Sequence, residues 1–340
     1  MPMGKTIRRP MCILLMLLAL AVVMVTANAK EAPPFAFPAA CQLGESCWAV
    51  NYFDTDPTAG AADFRCGTRT YDGHDGTDFA VRDATVMEQG VDVLAAANGT
   101  VLRVRDGVRD HDPSPQELAK VLADKKGCGN GLLIDHGNAW QSIYCHMKQG
   151  SIAAKPGQKV LSGDVIGRIG QSGAAKFPHL HFGVTHAGKN VDPFTGFERG
   201  TACGASSIQP LWQPSIAYSP FALYAAGFAP GAAEFGKIQK DAGTPASMRR
   251  TDLQALSFWM VYFGAARGDR IHMEVRGPDG SFFAQQDIVQ EKSRARQFYF
   301  IGKKVEGKRL LPGVYTGKAT LVRERQDVLM GEIVKTVTLD

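Results

Sequence analysis

His74-Asp-Gly-Thr-Asp78, Tyr144-Cys-His146 and His179-Leu-His181 are the three short runs on which the reading of this 340-residue chain turns. The first and third together offer two imidazoles and a carboxylate, the donor set of a catalytic zinc that keeps one position open for water. Two more histidines are then left to handle protons beside that water. His74 and Asp78 lie four apart in a segment containing Gly73 and Gly76, a turn running into a strand, so both side chains can converge on one ion. Residues two apart in a strand share a face. His179 and His181 therefore point the same way, with Leu180 turned to the core, and Pro178 sets an extended entry. His146 closes a strand at 141–145 that lies opposite 132–135. Alone, each run has an ordinary structural reading: a capped surface turn, a satisfied strand-end histidine, an incidental pair. Their joint presence in one glycine-rich strand pattern carries the weight.

Outward from these runs, residues 73–200 alternate as short strands at 77–81, 92–95, 99–105, 132–136, 140–146, 165–169 and 181–185. Turns are expected at Asp135-His-Gly-Asn138 and Lys155-Pro-Gly157. One helix interrupts them at 114–124, where Ser114 and Glu117 form a capping box. Residues 201–236, rich in Pro, Ala and Gly, are expected to be a packed linker. Beyond it, stretches at 255–263, 270–276, 282–289, 297–301, 315–323 and 328–339 alternate strongly, which predicts a small Ig-like β-sandwich over 237–340. The fold class is thus mainly β.

At the other end, Lys5, Arg8 and Arg9 precede an apolar run from Met11 to Val25 and then Ala27-Asn-Ala29. That order of basic, apolar and small residues is a secretory signal peptide over 1–29, and the run is shorter than the roughly 20 apolar residues of a spanning helix. No stable membrane insertion is expected after cleavage near Ala29. Residues 30–72 follow as an extended, loop-rich leader, stapled over 47–66 if Cys47 pairs with Cys66. Six cysteines remain after the signal, an even number that suits disulfides in an exported protein. Cys128 sits one hairpin back from Cys145, so a cross-strand disulfide is expected there. Residues 237–340 carry 18 Lys/Arg against 12 Asp/Glu, whereas 30–236 carry 17 against 21. This dispersed excess is no nucleic-acid footprint.

Further residues carry a resemblance. Tyr71-Asp-Gly-His-Asp-Gly-Thr-Asp-Phe79, Val93-Leu-Ala-Ala-Ala-Asn-Gly-Thr-Val101, Gly129-Asn-Gly-Leu-Leu-Ile-Asp-His-Gly137, Tyr144-Cys-His-Met147 and Pro178-His-Leu-His-Phe182 occur in this order, with Val191-Asp-Pro-Phe194 closing the set. The stretch resembles the lysostaphin-type (LytM) zinc endopeptidases of peptidoglycan over roughly Tyr71 to Phe194. The resemblance implies an antiparallel β-sheet with the metal in a groove and one Zn²⁺ per chain held by His74, Asp78 and His181. It implies His146 and His179 as the catalytic pair. The expected activity is hydrolysis of peptide cross-links by a zinc-activated water, with peptidoglycan stem peptides as substrate and a bacterial periplasm, or the exterior, as location. Residues 106–127 are an insertion relative to compact members of that family.

Two rival readings remain open at this stage. A degenerate relative would bind the envelope and regulate another hydrolase, but it should lack ligands, and none is missing. A non-haem iron oxygenase uses the same two histidines and one carboxylate, yet it explains neither His146 and His179 nor export. The C-terminal strands form either a module that binds the wall or an envelope protein, or a packing domain shielding one edge of the catalytic sheet.

Overall fold

In the computed structural model, which describes Met1 and residues 32–201, 203–305, 310–323 and 329–340, strands dominate. Apart from Met1, the expected signal at 1–29 lies outside the described residues. The first part of the chain supplies β1 (Cys47–Asn51), β2 (Thr77–Val81), β3 (Asp92–Leu94), β4 (Gly99–Arg105) and β5 (Asn130–Asp135). It continues with β6 (Trp140–Met147), β7 (Lys159–Val160), β8 (Val165–Arg168), β9 (His179–His186) and β10 (Lys189–Val191). Two helices interrupt them, α1 (Ala84–Gln89) and α2 (Pro115–Ala123), the latter with its Ser114–Glu117 capping box formed. An antiparallel sheet runs β1-β2-β9-β6-β5-β4-β7, with β10 paired to β9, while β3 and β8 form a separate ribbon.

Pairing register decides which side chains meet. Asp78 lies opposite His181, and His181 lies opposite Cys145, in a row across β2, β9 and β6. The neighbouring row of Thr77, Phe182 and Tyr144 faces the other way. There Phe79, Ile134, Tyr144, Leu180 and Phe182 are fully buried. Burial of each large apolar side chain contributes about 1.5–3 kcal/mol. A slip of one residue would drive the polar row into this core, so burial itself fixes the register.

Both flanking segments join that core. Phe35 and Trp212 bridge one another and pack on Phe182, with ring centroids 6.0 and 5.2 Å away. Within the leader expected to be loop-rich, β1 forms the edge of the sheet. Three disulfides join Cys41 to Cys47, Cys66 to Cys203 and Cys128 to Cys145. The cross-strand pair is as expected. Cys47 does not pair with Cys66, because it starts an extended strand that leaves the turn after Cys41, and Cys66 meets the distant Cys203 instead.

The later strands are β11 (Ala222–Ala229), β12 (Ser247–Met248), β13 (Ala255–Ala265), β14 (Arg270–Arg276) and β15 (Phe282–Val289). β16 (Arg294–Lys304), β17 (Gly313–Arg323) and β18 (Leu329–Leu339) complete them, with α3 (Phe235–Lys240) after β11. They divide between a sheet ordered β11-β13-β16 and one ordered β12-β18-β17-β14-β15. Phe258, Met260 and Tyr262 of the first share a core with Ile271, Met273, Ala319 and Leu321 of the second. β11 lies inside the stretch expected to be linker. Its Ala222-Leu-Tyr-Ala-Ala-Gly-Phe-Ala229 lacks alternation because most of it is covered on both faces, and Gly227 leaves room for the Trp259 ring.

Arg69 stitches these parts together. Its buried guanidinium donates to the carbonyls of Ala49 and Val50 on β1 and of Ser219 before β11, and it lies against Gly264 of β13. Arg69→Met leaves those acceptors buried and unmatched, so a loss of about 3 kcal/mol or more is expected in denaturant unfolding. Arg65→Met, on the exposed side of the same loop, should stay within about 0.5 kcal/mol of the parent. Equal effects of the two changes would contradict the stitch.

Candidate metal centre

Three lone pairs converge where the polar row ends. His74 Nε2 lies 3.1 Å from Asp78 Oδ1 and 3.2 Å from His181 Nδ1, and His181 Nδ1 lies 3.0 Å from Asp78 Oδ1. A tetrahedral zinc with arms of about 2.1 Å needs donors about 3.4 Å apart, so the triangle fits one face of such a site with little adjustment. The outer atoms are held. His74 Nδ1 donates to the Tyr52 carbonyl at 2.6 Å, Asn51 Nδ2 donates to Asp78 Oδ2 at 2.8 Å, and Asp75 Oδ1 sits 3.3 Å from His181 Nε2. With Nδ1–H spent on Tyr52, His74 turns a lone pair toward the carboxylate and the other imidazole. With His181 neutral, three lone pairs would face one another, so the triangle needs either a proton on His181 or a metal cation in its place.

Backbone shape allows this crowding. His181 packs over Gly76, where an added Cβ would stand 2.5 Å from the Phe182 carbonyl oxygen and 2.7 Å from His181 Nε2. Gly76 is therefore required for close approach, more than for curvature of its own turn. Arg199 donates to the carbonyl of His74 at 3.2 Å and to Asp54, which holds the end of β1 against the same turn.

His146 and His179 stand beside the triangle, their ring centroids 4.6 Å apart. His146 Nδ1 donates to the Ser172 carbonyl and His179 Nδ1 to the Phe177 carbonyl, each at 2.8 Å. Each Nε2 then carries the lone pair, and that of His179 lies 3.7 Å from Asp78 Oδ1. His146 has a left-handed backbone, φ 61°, kept in place by its N–H bond to the Cys128 carbonyl and by the adjoining Cys128–Cys145 disulfide. The 106–127 segment braces the same corner: Asp110 accepts from the amides of Gln149 and Gln171, next to Ser172. His136 bonds Asn98 O and Ser142 Oγ, outside its own turn, and His186 stacks on Trp140 away from the centre.

Electrostatics divide these groups. Burial pulls the His146 imidazole well below the ordinary histidine value, and the positive potential of His179 and His181 adds to it. Burial also lowers His179, partly opposed by Asp78. For His181, burial acts downward but the hydrogen bonds it donates to Asp75 and Asp78 outweigh it, and the group is pushed up to about 10. Asp78 is buried, yet His74, His179 and His181 hold its carboxyl well below the usual range. Sequence reasoning missed Asn51, Asp75 and the carbonyls of Tyr52 and Ser172. Asn51 carried no signal, since it lies in a segment without a recognisable strand pattern, while Asp75 adjoins His74 in the quoted motif.

Residues 72–193 match the model of peptidase family M23. This chain carries an M23 peptidase domain. Over 136 residues it is 31% identical to a metalloprotease of Haemophilus influenzae described as uncharacterized, covering 40% of this chain and 23% of that protein. It is 31% identical over 119 residues to the peptidoglycan DD-endopeptidase ShyA of Vibrio cholerae, covering 35% and 22% respectively. The chain thus spans less than a quarter of the length of either relative. A crystal structure of a zinc-containing peptidase from Vibrio cholerae aligns at 28% identity over 42% of this chain and 39% of that one, with a TM-score of 0.27. Among the described residues, no helix is long and apolar enough to cross a membrane.

Because His181 is raised to about 10, the metal-free M23 domain holds a proton there near neutrality, and a metal must displace it. Zinc affinity should therefore rise with pH, about tenfold per unit between roughly pH 6 and 8, in competition with a chromophoric chelator. His181→Ala and Asp78→Ala should each abolish tight binding. A flat pH profile together with tight zinc in His181→Ala would remove that histidine from the ligand set.

Proposed function

We propose that the chain is an exported zinc metalloendopeptidase that cuts peptide cross-links in bacterial peptidoglycan, with residues 1–29 as its export signal and 73–200 as the catalytic unit. The observation that carries this reading is the donor triangle of His74, Asp78 and His181 with two neutral imidazoles beside it, inside an M23 domain. Its support from relatives is the likeness to a peptidoglycan DD-endopeptidase.

His74, Asp78 and His181 would hold the ion, and Asn51, Asp75 and the Tyr52 carbonyl would orient them. When bound, zinc supplies Lewis acidity, polarising the scissile carbonyl and making water acidic enough to ionise near neutrality. His146 and His179 provide the proton chemistry. Their Nδ1 atoms are tied to backbone, so each Nε2 can take a proton from the attacking water or hand one to the leaving amine. A groove of about 520 Å³ runs from Asp75 over Gly131 and Ile143, with Arg103 and Arg105 on its wall, and would seat an extended peptide. The C-terminal strands pack on the domain and shield one side of it.

Replacing His146 or His179 by Ala should lower kcat by about 10²–10⁴ on cross-linked muropeptide dimers while zinc content stays the same. Both imidazoles are lowered from 6.5, so they remain neutral as the pH falls to that value. At saturating zinc, the acid limb of kcat should accordingly lie below pH 6.5. Cleavage that survives both substitutions, or survives complete removal of metal, would sink the proposal.

A further inference from the structure

Next to His179, on the far side of Phe177, lies territory the M23 domain does not build alone. A recess of about 380 Å³ is walled on one side by Lys176 and Phe177 and on the other by Tyr224, Phe263 and Arg296. Phe177 is the hinge between the two regions. Its ring lies 4.7 Å from that of His179 and 5.0 Å from that of Phe263. The recess therefore opens one ring away from a proposed catalytic imidazole.

Arg296 is held in this recess by aromatic faces. Its guanidinium carbon lies 5.0 Å from the Phe177 ring, 4.8 Å from Phe235 and 5.8 Å from Phe263, and the side chain hydrogen bonds to Tyr224. Strand pairing sets Arg296 directly opposite Phe263, which fixes the base of the side chain as well. Such contacts orient the planar fork at low entropic cost without consuming its charge.

The acidic groups lining the recess are all engaged elsewhere. Asp83 pairs with Arg82 and accepts from two backbone amides, Glu88 pairs with Lys148, and Asp112 pairs with Lys176. Asp110 accepts from the amides of Gln149 and Gln171. Among the described residues, no carboxylate lies within ion-pairing distance of Arg296. A preoriented guanidinium without a counter-ion, one aromatic ring from His179, matches a carboxylate brought in by the substrate.

We propose that Arg296 is a specificity-determining residue of a carboxylate subsite, through which the C-terminal sheets help the M23 domain select peptides bearing a free carboxylate near the scissile bond. This rests on the peptidase reading above and adds a substrate preference to it. The position is one that neither the M23 match at 72–193 nor the sequence motifs reach.

The test uses the full mature chain and two cross-linked muropeptide dimers, one with free carboxylates and one with them amidated. The wild type should show a KM for the free-carboxylate dimer lower by about tenfold or more, the size of a charge-assisted hydrogen bond. In Arg296→Gln that ratio should collapse toward one, and Arg296→Lys should restore part of it. If both substrates weaken together and thermal stability falls, Arg296 is only a stitch between sheets and the proposal is overturned. Calorimetric binding of the same two dimers to the zinc-loaded wild type and Arg296→Gln separates the two readings. Discrimination in binding without any cleavage would keep the subsite and remove the hydrolase, whereas equal binding of both dimers to the wild type would remove the subsite.

Discussion

Everything about the metal centre depends on one pairing, Asp78 against His181 across β2 and β9. The pairing is cheap to specify because its mirror face is expensive to violate. Phe79, Leu180 and Phe182 are fully buried, so the strands can sit in only one register without exposing them. The hydrophobic effect, which has no directional preference, thereby places two candidate metal ligands on the same patch of sheet. His74 then reaches the patch from the turn before β2, and Gly76 leaves space for the His181 ring.

Burial has opposite consequences within this one small region. It keeps His146 and His179 neutral, because each has a backbone carbonyl for Nδ1 and no carboxylate of its own in direct hydrogen bond. It leaves His181 cationic in the metal-free protein, because two carboxylates flank it. The difference is a matter of partners and not of depth, since all three rings are buried. A candidate cation site and a proposed proton-handling pair are thus made from the same residue type a few ångströms apart.

Much of this was readable from the amino-acid order. Strands 77–81, 99–105, 270–276 and 282–289 have the expected bounds, since alternation and flanking turns both mark them. The five chemistry-bearing residues come from motifs whose spacing matches strand geometry, and the structure brings His74, Asp78, His146, His179 and His181 together. What escaped has a common cause. β1 and most of β11 are covered on both faces, and β11 is rich in small residues, so period-two contrast is absent. Asn51, Arg69 and Arg296 act through partners distant in sequence, and a single polar residue has no pattern of its own. Disulfide partners follow from the folded path, which is why the hairpin pair could be inferred and the other two could not.

The bond between Cys66 and Cys203, 137 positions apart, closes a covalent ring that contains every proposed ligand and both proposed proton carriers. A single nick by a protease anywhere on that ring opens it without shedding a piece, because the two new ends remain tied through sulfur. Release of a fragment takes a second cut. The centre is therefore carried by a segment that one break within the ring cannot divide, and reductant becomes as decisive for its survival as proteolysis.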